Sequence, residues 1–273
     1  MRSKRNARDR VKQYLDSIYK PNILLKEVDK EFCKGYIAFL RTCTFNNGKK
    51  TLSSTTCRIF VNRLTAALSL AVNEGLIERN PFKLEQKEKP KKDSAMREFL
   101  TIEEIKQVMA TPCRYDIVKS AFLFSCFTGL RYSDIKSLTW DEVHKAADGK
   151  TLYIEHKQVK TKNMVTIPLS AEALKWMPKQ SKNHEQVFYQ LKITHTTVEV
   201  LLAEWMAEAG IQKHITYHCS RHTAATLLLT LGADLYTVSK ILGHRSIKTT
   251  EIYAKIMDKK KLGTVNLVNY MFS

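Results

Sequence analysis

The chain has 273 residues, 44% of them apolar, and a formal net charge of +18 from 45 basic against 27 acidic side chains. The apolar content excludes a disordered chain, and the length accommodates two domains with cores of their own. So large a positive charge favours an anionic partner, and no apolar run is long enough to span a bilayer, so no membrane association is expected.

Residues 1–83 read as a helical domain of about four helices. Arg8 to Tyr19 places Val11, Tyr14, Leu15 and Ile18 on one face. Asp29 caps a second helix, Lys30 to Thr42, whose apolar side is Phe32, Tyr36, Ile37, Phe39 and Leu40. Asn46-Asn47-Gly48 signals a turn. Ser53 or Ser54 caps a third helix, Thr56 to Glu74, with Ile59, Phe60, Leu64, Ala67, Leu68 and Ala71 at helical spacing. Residues 84–98 are highly charged and nearly free of apolar side chains, which predicts an interdomain linker; its Lys87, Lys89, Lys91 and Lys92 suit a strand running along a polyanion.

The second domain, residues 99–273, opens with a capping box at Thr101 and Glu104. Tyr115 to Phe127 is a strongly apolar core helix stopped by Gly129, and Ser133 to Leu138 is a short one. Thr151 to Glu155 and Met164 to Pro168 read as a β-hairpin whose turn carries Lys157, Lys160 and Lys162. Ser170 to Met177, Thr194 to Glu208 and Thr223 to Leu231 are helical, the last apolar almost all round and therefore buried. Asp234 caps the next helix and Gly243 ends it. The tail from Leu262 to Ser273 is apolar enough to pack on its own domain or on a neighbouring protomer. All eight histidines lie at position 144 or beyond, which concentrates imidazole chemistry here. The six cysteines lack CxxC or zinc-ligand spacing, so free thiols in a reducing compartment are expected. With no signal peptide legible in the polar N-terminus, the expectation is a cytoplasmic protein.

Chemistry concentrates in Ile215 to Ala254. His218 and Arg221 stand three apart, His222 follows, His244 closes Leu242-Gly243-His244, and Tyr253 comes nine residues later. Residues three apart on a helix face the same way, so His218 and Arg221 can enter one cleft. A guanidinium grips two phosphate oxygens and a tyrosine hydroxyl can attack phosphorus, so a phosphodiester substrate fits. The block resembles the signature of the tyrosine recombinase/integrase family, His-x-x-Arg followed by Leu-Gly-His and a nucleophilic tyrosine. Thr128-Gly129-Leu130-Arg131-Tyr132-Ser133-Asp134-Ile135 resembles its first arginine motif. Lys160-Thr161 with Val165-Thr166-Ile167-Pro168-Leu169 is similar to its lysine hairpin. Four motifs in order cover roughly residues 99–260.

The resemblance implies an all-α, SAM-like core-binding domain followed by a mainly α, α+β catalytic domain with a small β-hairpin sheet. It implies that Tyr253 forms a 3′-phosphotyrosyl bond while Arg131 and Arg221 hold the nonbridging oxygens. Lys160, on a mobile turn, would protonate the departing 5′-oxygen, with Lys157 as the next choice. His218 would accept a proton or orient the attack, His244 would bond a nonbridging oxygen, and Asp134 would buttress the site. His222 reads as structural, packing the helix start. Lys49, Lys50, Arg58, Arg63, Lys157 and Lys162 are candidates for phosphate contact, although a solvated charged face explains them equally, and Asn62 is a weaker candidate for base contact. No cofactor is expected: one phosphodiester replaces another, no GxxxxGK[ST] is present, and no histidine–carboxylate set has metal-ligand spacing. The implied partners are double-stranded DNA at specific core sites and three further copies in a tetramer on two duplexes, with room for a host DNA-bending protein. The lysine hairpin resembles mobile-element integrases more than chromosome-dimer resolvases. A type IB topoisomerase shares the chemistry and is the nearest rival. A non-catalytic DNA-binding protein is the other, though it would have no use for the tyrosine.

Overall fold

The computed structural model describes residues 2–45, 50–83, 89–91 and 98–253, and the chain divides into two compact units, Met1–Met96 and Arg97–Ser273. In the first unit, α1 (Arg2–Ser17), α2 (Lys30–Thr42) and α3 (Ser54–Asn73) pack against one another. Asp29 accepts from the Phe32 N–H and Ser53 from the Thr56 N–H, so the two N-caps fix the starts of α2 and α3. Tyr14, Phe32, Tyr36, Leu40, Val61 and Phe82 form the core. A Cβ on Gly35 would lie 2.2 Å from Tyr14 Oη, so glycine is what lets α1 approach α2 at this point.

Several expectations need correction. The described residues of this unit hold three α-helices and a 3₁₀ turn at Leu25–Glu27 rather than four helices, and α1 starts at Arg2 rather than Arg8. Ile59 is exposed rather than part of the core face. The turn signal sits between two short antiparallel strands, β1 (Thr44–Phe45) and β2 (Lys50–Thr51). Lys49, Lys87, Lys92 and the side chain of Lys50 lie outside the described residues, as do Tyr270 and the apolar tail.

The second unit surrounds a sheet of three antiparallel strands, β3 (Val143–Lys145), β4 (Leu152–Lys157) and β5 (Met164–Pro168), in that spatial order. Ile154 pairs with both Val143 and Ile167, and His156 pairs with Val165. The predicted hairpin thus gains a third strand, too short to show an alternating pattern. Its helices are α4 (Ile102–Ala110), α5 (Asp116–Thr128), α6 (Tyr132–Ser137), α7 (Ala171–Lys175), α8 (His195–Glu208), α9 (Tyr217–Thr230) and α10 (Leu235–Ile241). The Thr101–Glu104 capping box forms, with both reciprocal bonds present.

At the centre α5 packs along α9. Both are apolar round most of their circumference, which is the pattern of a helix with no solvent face. α9 begins six residues earlier than the periodicity suggests, and Tyr217 explains the difference. Its hydroxyl donates to the Ala121 carbonyl at 2.7 Å and meets Ser125 Oγ at 2.9 Å, and its N–H is accepted by Glu199. This anchor draws His218, Arg221 and His222 into the first turns of a buried helix. Among the described residues no helix is long and apolar enough to cross a membrane.

Candidate active site

Two guanidinium groups organise the site, and glycine geometry delivers the first. α5 ends at Gly129, whose φ of +73° is left-handed, and a Cβ there would stand 2.6 Å from Leu242 Cδ2. The reversal makes Arg131 the N-cap of α6. Its N–H donates to Asp134 Oδ2 at 3.2 Å, and its Nη1 lies 3.7 Å from the same oxygen. That Nη1 is buried and has no hydrogen-bond partner, which is the condition of a donor set aside for a ligand.

Arg221 comes from α9 and is buried. Nη1 donates to the Gly129 carbonyl at 2.8 Å and Nη2 to the Leu242 carbonyl. Burial first, then repulsion from Arg131, lowers its pKa from the ordinary arginine value, while Tyr253 and Asp134 act in the opposite sense. A desolvated pair of like charges is relieved by an anion that both can bind, so this corner suits a phosphate.

Asp134 is fully buried. Burial opposes its ionisation, but the contact with His156, the Val159 and Arg131 N–H groups and the charge of Arg131 together lower its pKa. The Val159 N–H donates to Asp134 Oδ1 at 2.9 Å, so the carboxylate joins the first arginine to the residue preceding Lys160. His156 stands behind it, with Nδ1 2.8 Å from Glu142 Oε1 and Nε2 3.9 Å from Asp134 Oδ1. The longer separation is an electrostatic contact rather than a hydrogen bond. Burial lowers the His156 pKa, the two carboxylates raise it more, and the net shift is upward.

Lys157, Lys160 and Lys162 are all exposed; Lys160 and Lys162 lie on the β4–β5 turn, whereas Lys157, expected there, is the last residue of β4 and pairs with Met164. The described turn is pinned rather than free. Gln158, fully buried, donates from Nε2 to the Leu242 carbonyl at 2.9 Å and accepts from Thr161 Oγ1 at 2.6 Å. Asn163 Nδ2 donates to the Gly243 carbonyl, and Arg245 reaches the Thr161 carbonyl. The lysine turn and the Leu242-Gly243-His244 segment are therefore one structure.

His244 follows Gly243, another left-handed glycine, and its Nδ1 meets Thr250 Oγ1 at 2.8 Å. Thr250 is buried and its carbonyl accepts from the Tyr253 N–H, so one threonine ties the histidine to the tyrosine. Tyr253 lies on a 3₁₀ turn (Glu251–Tyr253), buried in the cluster of Ala225, Leu229, Val238 and Leu242. Its hydroxyl meets His222 Nδ1 at 2.5 Å. Reading His222 as packing alone is thus corrected: it is hydrogen-bonded to the tyrosine hydroxyl. His218 is exposed, with its ring 4.8 Å edge-on from that of His222.

The structure thus brings together Arg131, Arg221, Asp134, His244 and Tyr253, and it adds Gln158, Thr250, His156 and His222 to the residues singled out in the sequence. The signal for His222 was its place directly after Arg221 and four residues after His218. For Thr250 and Gln158 nothing local marked them. In the first unit, Arg58 is half-buried and donates to the Pro90 carbonyl at 3.1 Å, and Arg63 lines an apolar groove between α1 and α3. Among the described residues no group of three or more His, Cys, Asp or Glu side chains is placed to hold a metal ion. Tyr217 is fully buried with its pKa raised by burial, and Tyr236 is exposed; the tyrosine beside Arg221 is Tyr253.

Residues 98–260 match the model of the phage integrase family, and residues 1–90 match that of the phage integrase SAM-like domain. The tyrosine recombinase XerD of Lacticaseibacillus casei is 30% identical over 223 residues, which is 73% of each chain. A tyrosine recombinase of Pseudothermotoga lettingae is 26% identical over 264 residues, covering 94% of this chain and 88% of that one. Among solved structures, a lambda integrase dimer bound to a COC′ core site superimposes with a TM-score of 0.70 at 19% identity, covering 92% of this chain and 86% of that one. The Tn1549 transposon integrase in complex with a circular intermediate DNA gives 0.69 at 17% identity, covering 91% and 88%.

Proposed function

The chain belongs to the phage integrase family of tyrosine recombinases, enzymes that break and rejoin DNA, and from that premise we propose the roles of its residues. Tyr253 attacks the scissile phosphate and becomes 3′-phosphotyrosyl. Arg131 and Arg221 take the nonbridging oxygens, and the charge that grows on those oxygens in the transition state meets two desolvated guanidinium groups. His244, its Nδ1 committed to Thr250, presents its other nitrogen to the phosphate. Lys160 supplies the proton that the departing 5′-oxygen needs. Asp134 orients Arg131 and, through the Val159 N–H, the turn that carries Lys160. Because a phosphodiester is exchanged for a phosphodiester, no nucleotide is consumed on rejoining.

One observation carries this reading: Arg221 is buried, within electrostatic reach of both Arg131 and Tyr253, and a bound anion relieves the repulsion between the two guanidinium groups. The test is a nicked duplex carrying the cognate site, incubated in EDTA and resolved under denaturing conditions. The expected result is a protein–DNA adduct from the wild type and none from Tyr253→Phe. An adduct that survives Y253F would refute the nucleophile.

Strand exchange requires two duplexes and four protomers in this reading, and the two solved relatives described above are DNA complexes, one of them a dimer on its core site. We assign the chain to integration and excision of a mobile element, acting in the bacterial cytoplasm. A second role that the same chemistry serves is resolution of joined replicons. Recombination between an element's two ends and a target site, compared with recombination between two copies of a single chromosomal site, separates the two.

A further inference from the structure

We propose that His156 is a positioning residue for cleavage, an imidazolium that keeps the buried Asp134 ionised and in place while Arg131 turns to the phosphate. The role presupposes those given above to Arg131 and Lys160. His156 stands on the inner face of β4, where Ile154 two residues before it and Val165 opposite it are buried and apolar. Strand alternation calls for an apolar residue at this place, and an imidazole buried there costs free energy unless it is paired. Two carboxylates face it. Nδ1 lies 2.8 Å from Glu142 Oε1, and Glu142 is itself fixed, because its other oxygen accepts from the Thr139 N–H at 3.0 Å and from Thr139 Oγ1 at 3.1 Å. Nε2, buried and without a hydrogen bond, lies 3.9 Å from Asp134 Oδ1.

Asp134 is the junction of the site. Oδ2 accepts from the Arg131 N–H and Oδ1 from the Val159 N–H, so one carboxylate holds both the first arginine and the turn that carries Lys160. A fully buried carboxylate stays ionised only with positive charge beside it. Arg131 supplies part of that charge from 3.7 Å, and His156 another part. A phosphate bound to Arg131 draws the guanidinium's charge to itself, which leaves the carboxylate dependent on His156. Among the described residues, the charged groups acting on the imidazole are Asp134 from α6 and Glu142 from the turn before β3, with Arg131 at the other oxygen of Asp134. Glu155 and Lys157 alternate to the outer face of β4. Burial opposes the protonated imidazole, and the two carboxylates outweigh it. A neutral imidazole has one N–H for two carboxylates, so it turns a lone pair toward one of them and Asp134 loses its cation.

The test is single-turnover cleavage of the nicked duplex by the full chain across a range of pH. The readout is the ratio of wild-type to His156→Gln rates, in which groups common to both proteins cancel. H156Q keeps a donor for Glu142 and carries no charge at any pH. The expected ratio is about tenfold or more near pH 6. It should narrow toward one as pH rises through the folded imidazole value, which lies above the ordinary value near 6.5. Glu142→Gln removes one of the charges that hold the proton, so its own ratio to H156Q should narrow at a lower pH than that of the wild type. Rates are taken at a temperature where every variant is folded, since lost stability alone lowers the melting point and leaves the ratio at one. A ratio of one throughout, or one that is constant from about pH 5.5 to 9, overturns the proposal. So does an E142Q ratio that narrows at the wild-type pH. If H156Q does not fold, His156→Phe, which suits the apolar face of the sheet, takes its place with the same expected ratio. An adduct from Y253F defeats the nucleophile assignment whatever His156 does, whereas an adduct lost only in Y253F, together with a constant ratio, defeats the positioning role alone.

Discussion

Substituting alanine for Gly243 tests whether the lysine turn and the Leu-Gly-His segment act as one structure. Gly243 has φ +65°, where a Cβ meets its own backbone, at a cost of roughly 1–2 kcal/mol. The added Cβ would also stand 2.5 Å from Val165 Cγ1 and 2.8 Å from both Gln158 Nε2 and Oε1. Neither neighbour can yield freely, since Val165 is paired in the sheet and Gln158 is bonded to the Leu242 carbonyl and Thr161. Overpacking of this kind costs about 1–3 kcal/mol. The sum, about 2–5 kcal/mol, corresponds to a melting midpoint lower by roughly 5 °C or more. The displaced turn carries Lys160 away from His244, and a misplacement of about 1 Å can slow chemistry on the order of a hundredfold. Thermal melting and single-turnover cleavage of the nicked duplex read the two effects separately. Wild-type melting and cleavage in G243A would refute the packing argument. A lowered melting point with undiminished cleavage would refute the claim that this junction positions Lys160.

Two further predictions follow from the same site. Gln158→Leu removes the two hydrogen bonds of a buried amide while preserving bulk, so a stability loss of about 1–3 kcal/mol is expected, with cleavage slowed by about tenfold or more. Chemical denaturation and adduct formation measure these, and unchanged cleavage would show that the turn finds its place without the amide. His156, whose pKa is raised by Asp134 and Glu142, stabilises the fold through its protonated form. That contribution is fully present below the unfolded imidazole value near pH 6.5 and is lost as pH rises through the higher folded value. His156→Gln should therefore melt well below the wild type under mildly acidic conditions, and the difference should narrow with increasing pH. A difference that is constant from about pH 5.5 to 9 would dissociate His156 from the carboxylates.

What the sequence displayed openly was local physics. The caps at Asp29, Ser53, Thr101, Thr194 and Asp234 each satisfy an N–H within three residues, so a side chain and its target are printed next to one another. What it concealed was the partner of each buried polar group. Gln158, flanked by lysines on a turn, reads as a solvated residue, yet it is fully buried because its amide spans to the Leu242 carbonyl 84 residues away. The start of α9 depends on a tyrosine whose hydroxyl bonds across to α5, which no periodicity encodes. Strand β3 is three residues long, below the length at which alternation can be seen. His222, next to Arg221 at the start of a buried helix, looked like packing, and its hydrogen bond to the tyrosine comes from a residue 31 positions away.

The Leu-Gly-His motif shows why recognising letters and understanding them differ. Only His244 contributes a side chain to the expected chemistry. The carbonyl of Leu242 accepts from both Arg221 and Gln158, and its side chain leaves no space for a Cβ at Gly129. Gly243 closes against the hairpin so that the lysine turn and the histidine share a position. Two of the three residues therefore act through backbone and shape, joining the second arginine, the lysine and the turn before the first arginine. A substitution at either should disturb several catalytic groups together without altering any of them chemically, so its kinetic cost should exceed what its own side chain could contribute.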